Sequence, residues 1–201
     1  MALHDFASLK TAVADWISRS NLTGIDARAE EFIALFEAQA NRELDVRDMV
    51  DTILLSVSDE TAALPCDFAG VLSFRLTEPQ SPELQYVKPS ELDGTFRLGK
   101  PERYTITDSL VFDPVPDGEY EARLRYRKRI PSLGPGMPTN WLLQRHPDAY
   151  LYGALSQALI YFRDDDRQVI RNAYASALDA ITQDDKRVSQ PATVNATGRP
   201  F

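Results

Sequence analysis

Apolar residues recur at three- and four-residue steps at the start of the chain. Phe6, Leu9, Val13, Trp16 and Ile17 share this spacing between Asp5 and Arg19, which predicts one face of an amphipathic helix starting near Asp5. Ile25, Ala29, Phe32, Ile33, Phe36, Ala40 and Leu44 repeat the pattern, and Gly24 separates the two helices. The chain therefore opens as a helical hairpin. Near Asp45 the period changes. MVDTILLSVSDETAAL, VLSFRLTE, LQYVK, RYTITDSLVFDPV and GEYEARLRYRKRI are short β-branched and aromatic runs separated by Asp, Pro and Gly clusters. They predict roughly six strands, as an antiparallel sheet or small sandwich. KPSELDGTF predicts a single helical turn between strands.

Helical spacing returns after SLGPGMPTN, a crossing segment rich in Pro and Gly. Asn140 is placed to cap a short helix through Arg145, and Pro147 ends that helix and suits the first turn of the next. Leu151, Ala154, Leu155, Ala158, Leu159 and Phe162 face one way in that next helix. Val169, Ile170, Ala173, Tyr174, Ala177, Leu178 and Ile181 face one way in the last. From Thr182 onward the periodicity stops and a polar tail is expected. Neither hairpin can bury its stripe alone, so the two should pair. The expected class is α+β: a helical bundle from both hairpins (1–45 and 138–182), an inserted antiparallel β-domain (46–137) and an extended C-terminal arm (183–201).

Composition narrows the function. The chain has 201 residues, 43% of them hydrophobic, enough for a folded core. Its apolar runs are interrupted by polar residues and MALHDFASLK lacks a signal-peptide pattern, so no membrane span is expected and the protein should stay where it is made. Cys66 is the single cysteine, which excludes an internal disulfide and a multi-cysteine zinc site, fits a reducing compartment and predicts an inert packed thiol. A net charge of −8 argues against tight nonspecific binding to phosphate backbones.

Candidate chemistry is sparse. The two histidines, His4 and His146, lie in no catalytic motif, and His146 precedes a proline at a helix junction, where an imidazole satisfies local backbone groups. Asp164, Asp165 and Asp166 are oxygen donors for a hard cation, but three adjacent acids cannot converge on one point. Their expected role is to charge the start of the last helix. No catalytic, cofactor-binding or metal-binding residue is predicted. One stretch stands apart: in EARLRYRKRI, Arg123, Arg125, Arg127 and Arg129 alternate with Leu124, Tyr126 and Ile130. On a strand these guanidinium groups line one face at intervals of about 7 Å. Three readings are open: a solvated face balanced by acids on neighbouring strands, a face that docks on carboxylates of another subunit, or contact with DNA, which the acidity of the whole chain disfavours.

PTNWLLQRHPDAYLYGAL, together with TAVADWISRSNLTG, EAQANRELDVRDM and LPCDFAGVLSFRL, resembles the adaptor proteins of tailed phages, the head-to-tail connectors beneath the portal. The similarity runs from about residue 9 to about residue 180, and its most specific parts are Asn41 to Leu44 and Thr139 to Leu155. The resemblance implies a structural, non-enzymatic component of the virion neck, made in the host cytoplasm. It implies a dodecameric ring between the portal and a tail or nozzle protein, with genomic DNA passing through the channel without specific binding. Trp141, Leu142, Leu143 and the tyrosines of this stretch become anchors, with Trp141 and Leu151 expected in the core and Tyr150 and Tyr152 at subunit contacts. The tail beyond Thr182 is not covered by the resemblance; its composition points to a portal-docking arm with Val188, Val194, Arg199 and Phe201 as contact residues, or to a tail folded back on its own subunit. A rival reading is a small enzyme or ligand-binding module with an apolar pocket in the β-domain.

Overall fold

The computed structural model describes residues 3–18, 25–79, 81–92, 97–162 and 167–189. The fold is α+β, in two compact units: Met1–Arg47 with Ile130–Phe201, and Asp48–Arg129.

The first unit is helical, with α1 (Phe6–Ser18), α2 (Ile25–Glu43), α3 (Trp141–Arg145), α4 (Pro147–Phe162) and α5 (Arg167–Ser189). Asp5 starts α1 by a reciprocal cap: its carboxylate accepts the Ser8 N–H at 2.8 Å, while its own N–H donates to the Ser8 hydroxyl at 3.1 Å. Asn140 caps α3 by accepting the Leu143 N–H at 2.9 Å. Helices from the two ends of the chain touch: α2 packs on α1 and α4, and α4 packs on α1, α3 and α5. Phe36 stands at the centre of the buried side chains, with Tyr150 at 4.9 Å and Tyr174 at 5.9 Å between ring centroids. Trp16 departs from its expected stripe and is 48% exposed, because Leu9, Val13 and Ile17 fill the buried face. Its ring meets Tyr152 edge-on at 6.4 Å.

α5 is also longer than its apolar period suggests. It runs to Ser189, so 183–189 are helical rather than extended, and Val188 lies on the helix. Gln, Lys and Arg favour helix without needing burial, and Asp185 is tied to Arg47 at 3.6 Å.

The second unit carries β1 (Val50–Val57), β2 (Thr61–Ala62), β3 (Phe68–Leu76), β4 (Gln85–Tyr86), β5 (Arg103–Ile106), β6 (Leu110–Asp113) and β7 (Tyr120–Lys128). They form a three-stranded sheet in the order β1-β7-β3 and a four-stranded sheet in the order β2-β6-β5-β4. One pairing is not antiparallel. β4 runs parallel to β5, because the connection over 87–102 is long enough to bring the chain back in the same direction. Alternate residues of both sheets meet in one core: Val57, Phe74, Leu76, Leu84, Tyr104, Leu110, Phe112, Ala122, Leu124 and Tyr126. Phe74 packs edge-on to Tyr104 at 5.2 Å.

Candidate functional site

β7 is the middle strand of its sheet, so its two faces meet different fates. Ala122, Leu124 and Tyr126 are buried, whereas Arg123 and Arg125 point outward and are exposed. Register decides what surrounds them. Arg123 lies between Leu54 of β1 and Arg75 of β3, and Arg125 lies between Thr52 and Ser73. No acid lies directly opposite Arg123 or Arg125, but Glu83 faces Arg75 across an isolated bridge and Glu121 is exposed on the same face of β7 as Arg123. Arg75, Arg123 and Arg125 form no ion pair among the described residues. Like charges placed directly opposite cost the sheet stability. Leu54 is 57% exposed on the same face, and Leu72, in the irregular register between Val71 and Ser73, is 50% exposed.

The predicted stripe is therefore shorter and wider than the sequence suggests. Arg127 has a partner within the chain, and Arg129 lies just past the end of the strand, its backbone N–H on the Asp67 carbonyl at 2.7 Å and its side chain exposed. Reading one strand missed Arg75, Leu54 and Leu72, because only the β1-β7-β3 register brings them to the arginines. Nearby, the Tyr126 hydroxyl donates to Asp67 at 3.0 Å, and burial together with this carboxylate pushes its pKa up to about 12.

The opening motif residues do other work. Asn140 donates to the Pro131 carbonyl at 2.7 Å and to the Tyr150 hydroxyl at 2.5 Å. Tyr150 in turn donates to Glu37 at 3.1 Å, and Glu37 accepts the Leu133 N–H at 2.8 Å. Asn41 accepts the Ile130 N–H at 2.8 Å, while Glu43 accepts the Tyr174 hydroxyl at 2.6 Å. The bonds of Asn140, Tyr150, Glu37 and Asn41 fasten the 130–140 segment to α2 and α4, that of Glu43 ties α5 to α2, and together they give the NREL and TNWLL residues their physical meaning. Burial drives the Glu37 carboxyl above its ordinary value, against the lowering effect of its hydrogen bonds. Burial also raises the Tyr150 and Tyr174 hydroxyls, with Glu37 and Glu43 adding to the shifts. Tyr150, expected at a subunit contact, is instead fully buried in the helical unit. Tyr152 is half-buried.

The remaining candidates scatter. The His146 N–H closes the end of α3 on the Leu142 carbonyl at 2.8 Å, and His4 is exposed near the start of α1. Cys66 is exposed in the turn before β3, not packed as expected, because that turn projects its side chain away from the core strands. Among the described residues, no group of three or more His, Cys, Asp or Glu is placed to hold a metal ion, and no helix is long and apolar enough to cross a membrane. Asp164, Asp165, Asp166, Val194, Arg199 and Phe201 lie outside the described residues. A cleft of about 350 Å³ lined by Leu54, Leu55, Ser56, Glu119, Tyr120 and Glu121 carries no histidine or cysteine.

An exposed guanidinium face and an internal polar clamp suit a protein that holds other proteins. The sequence matches the family model of the SU10 adaptor protein over residues 5–196. The chain belongs to the SU10 adaptor protein family. The adaptor match takes in both units, including the NREL and TNWLL residues and the arginine face. Membership in this family makes the chain a phage structural adaptor and a component of the virion. No curated protein matches the chain.

Proposed function

We propose that the chain is a head-to-tail adaptor that forms a dodecameric ring between the portal and a tail or nozzle protein and continues the DNA channel. The observation that carries this reading is the family match over residues 5–196. In it, the paired helical hairpins are the scaffold and the β-part inserted between them supplies contact surface. Arg123, Arg125, Arg127 and Arg129 serve subunit or partner contacts, as does Tyr152. The net charge of −8 lets genomic DNA pass without adhering. The C-terminal residues from 183, with Val188 on α5 and Val194, Arg199 and Phe201 beyond it, dock on the portal.

Particles assembled with and without the chain test this. In its absence, heads that carry a portal should lack tails, and electron microscopy of complete particles should place the protein as a ring at the neck. Tailed particles formed without the chain would overturn the reading. Truncation after Ser189 should leave a folded protein that binds the portal weakly, and undiminished binding would remove the arm from the proposal.

A further inference from the structure

The β-unit carries a basic set and an acidic set of exposed side chains that form no ion pair among the described residues. The first is the sheet face with Arg75, Arg123 and Arg125. The second lies at one end of the same sheet. There the pairing of Val57 with Tyr120 brings the turn after β1 beside the connection that enters β7. Asp59 and Glu60 of that turn, and Asp117 and Glu119 of that connection, are all exposed. Ser58, Tyr120 and Ser56 donate hydroxyl hydrogen bonds to Asp59, Asp117 and Glu119, at 3.2, 2.5 and 2.9 Å. Hydroxyl groups hold these carboxylates in place but leave their charge intact. No cation pairs with any of the four among the described residues.

We propose that the arginine face of one copy docks on the acidic sheet end of the next copy. The two surfaces are a face and an end, so the contact joins unlike surfaces and repeats head to tail, the kind of contact that closes into a ring when its rotation permits. This rests on the ring reading above and names the chemistry of its subunit contact. Guanidinium forks pair with carboxylates in two-point hydrogen bonds, and such a pairing removes the cost of setting Arg75 opposite Arg123. Nucleic acid is the weaker occupant for this face. Leu72, exposed on the face beside Ser73, gains nothing against a hydrated phosphate backbone but is covered when protein docks.

Glu119 also lines the cleft beside Leu54, Leu55 and Tyr120. Ser56 and a second carboxylate, Glu121, also line it; carboxylates beside leucine and tyrosine side chains fit an arginine, whose stem packs while its head pairs. The acidic end can therefore receive one guanidinium in a recess and others on its open turns.

Charge reversal in separate copies tests the contact. One variant carries Arg123→Glu and Arg125→Glu; the other carries Asp117→Lys and Glu119→Lys. Sedimentation velocity at about 0.05 M and about 0.5 M salt compares weak with strong screening. Wild-type protein should self-associate at the lower salt and dissociate at the higher. Each variant alone should associate at least about tenfold more weakly, since like charges then meet. An equimolar mixture should recover association, because each reversed surface finds its opposite on the other copy. A single chain carrying all four reversals should recover it too. Circular dichroism checks that each variant is folded, and Arg123→Gln with Arg125→Gln serves as a milder face variant should the reversed one fail to fold.

A wild-type monomer at every salt concentration overturns the proposal, as does a mixture that fails to associate. Duplex DNA bound by the wild type and released by the face variant, without self-association, would assign the face to nucleic acid instead. If the protein still sits at the neck of assembled particles while the reversals change nothing, only this contact fails. If it is missing from particles, the ring reading itself fails.

Discussion

The two units place polar chemistry in opposite ways. In the helical unit, Glu37, Asn140 and Tyr150 are buried, and each is held by partners of the same chain. In the β-unit, Arg75, Arg123 and Arg125 lie in the open with no ion pair among the described residues. Buried polar groups that are fully partnered specify one arrangement of the backbone. Exposed charges with no partner contribute little to a fold and much to recognition. The contrast separates residues that hold the adaptor together from residues that hold something else to it. Substitutions in the first set should lower stability, and substitutions in the second should lower assembly.

The sharpest way to break this contrast is at glycine. A Cβ added at Gly153 of α4 would come within 2.1 Å of the Phe36 ring, at the centre of the helical core. Nothing lies within 4 Å of one added at Gly70 on β3. Gly153→Ala should therefore cost about 3 kcal/mol or more, since Phe36 is fully buried and has nowhere to go. Gly70→Ala should stay within about 0.5 kcal/mol of wild type. Urea unfolding of both variants measures the difference, and equal costs would mean that α2 and α4 are not in close contact.

Next in size is the clamp. Tyr150→Phe removes the hydroxyl that joins Asn140 to Glu37 and leaves both short of a partner, which should cost about 1–3 kcal/mol. Glu37 adds a pH signature. Its folded pKa is raised above the ordinary 4.5, so the fold holds the proton more tightly than the unfolded chain does. That contribution is complete below the unfolded value and is lost as pH rises through the raised one. Glu37→Gln keeps an acceptor for the Leu133 N–H and cannot titrate. Wild type should therefore lose stability relative to Glu37→Gln as pH climbs from 4.5 toward neutrality. Asp5 and Asp51, whose hydrogen bonds lower their pKa values, act in the other direction but equally in both proteins. A pH-independent difference between the two would show that Glu37 is not buried.

Helix positions were legible because burial and period agree: Leu9, Val13, Phe32, Phe36 and Ile181 are all buried. The cap at Asn140 and the helix start near Asp5 were legible as well, since a short polar side chain before an apolar run has one common use. Tyr150 was misjudged because an aromatic with a polar handle suits both a core and an interface. Its partner Glu37 lies far away in sequence, and nothing local reveals a buried carboxylate. The arginine alternation was visible along β7, but its neighbours were not. Whether Arg123 faces an acid or another arginine depends on register with β3, which one strand alone does not encode. The helical character of 183–189 was missed because it rests on propensity and an ion pair rather than on an apolar stripe.

The smallest expected effect is also the most diagnostic of the contrast. If Arg75 and Arg123 are unpartnered like charges facing one another across β3 and β7, removing one should make the isolated protein more stable. Glutamine keeps a long polar side chain that still covers the strand, so Arg75→Gln and Arg123→Gln change charge more than packing. Each should gain about 0.2–0.5 kcal/mol at low salt, and the gain should shrink as salt screens the repulsion. The double variant should gain no more than either single one, because one substitution already removes the opposing pair. Arg103→Gln is the control: Arg103 pairs with Asp113 within the same unit, so its replacement should lower stability instead. A stabilising change on the arginine face that also weakens self-association would separate what the adaptor needs for folding from what it needs for assembly. Additive losses at Arg75 and Arg123 would show that both arginines hold the sheet together.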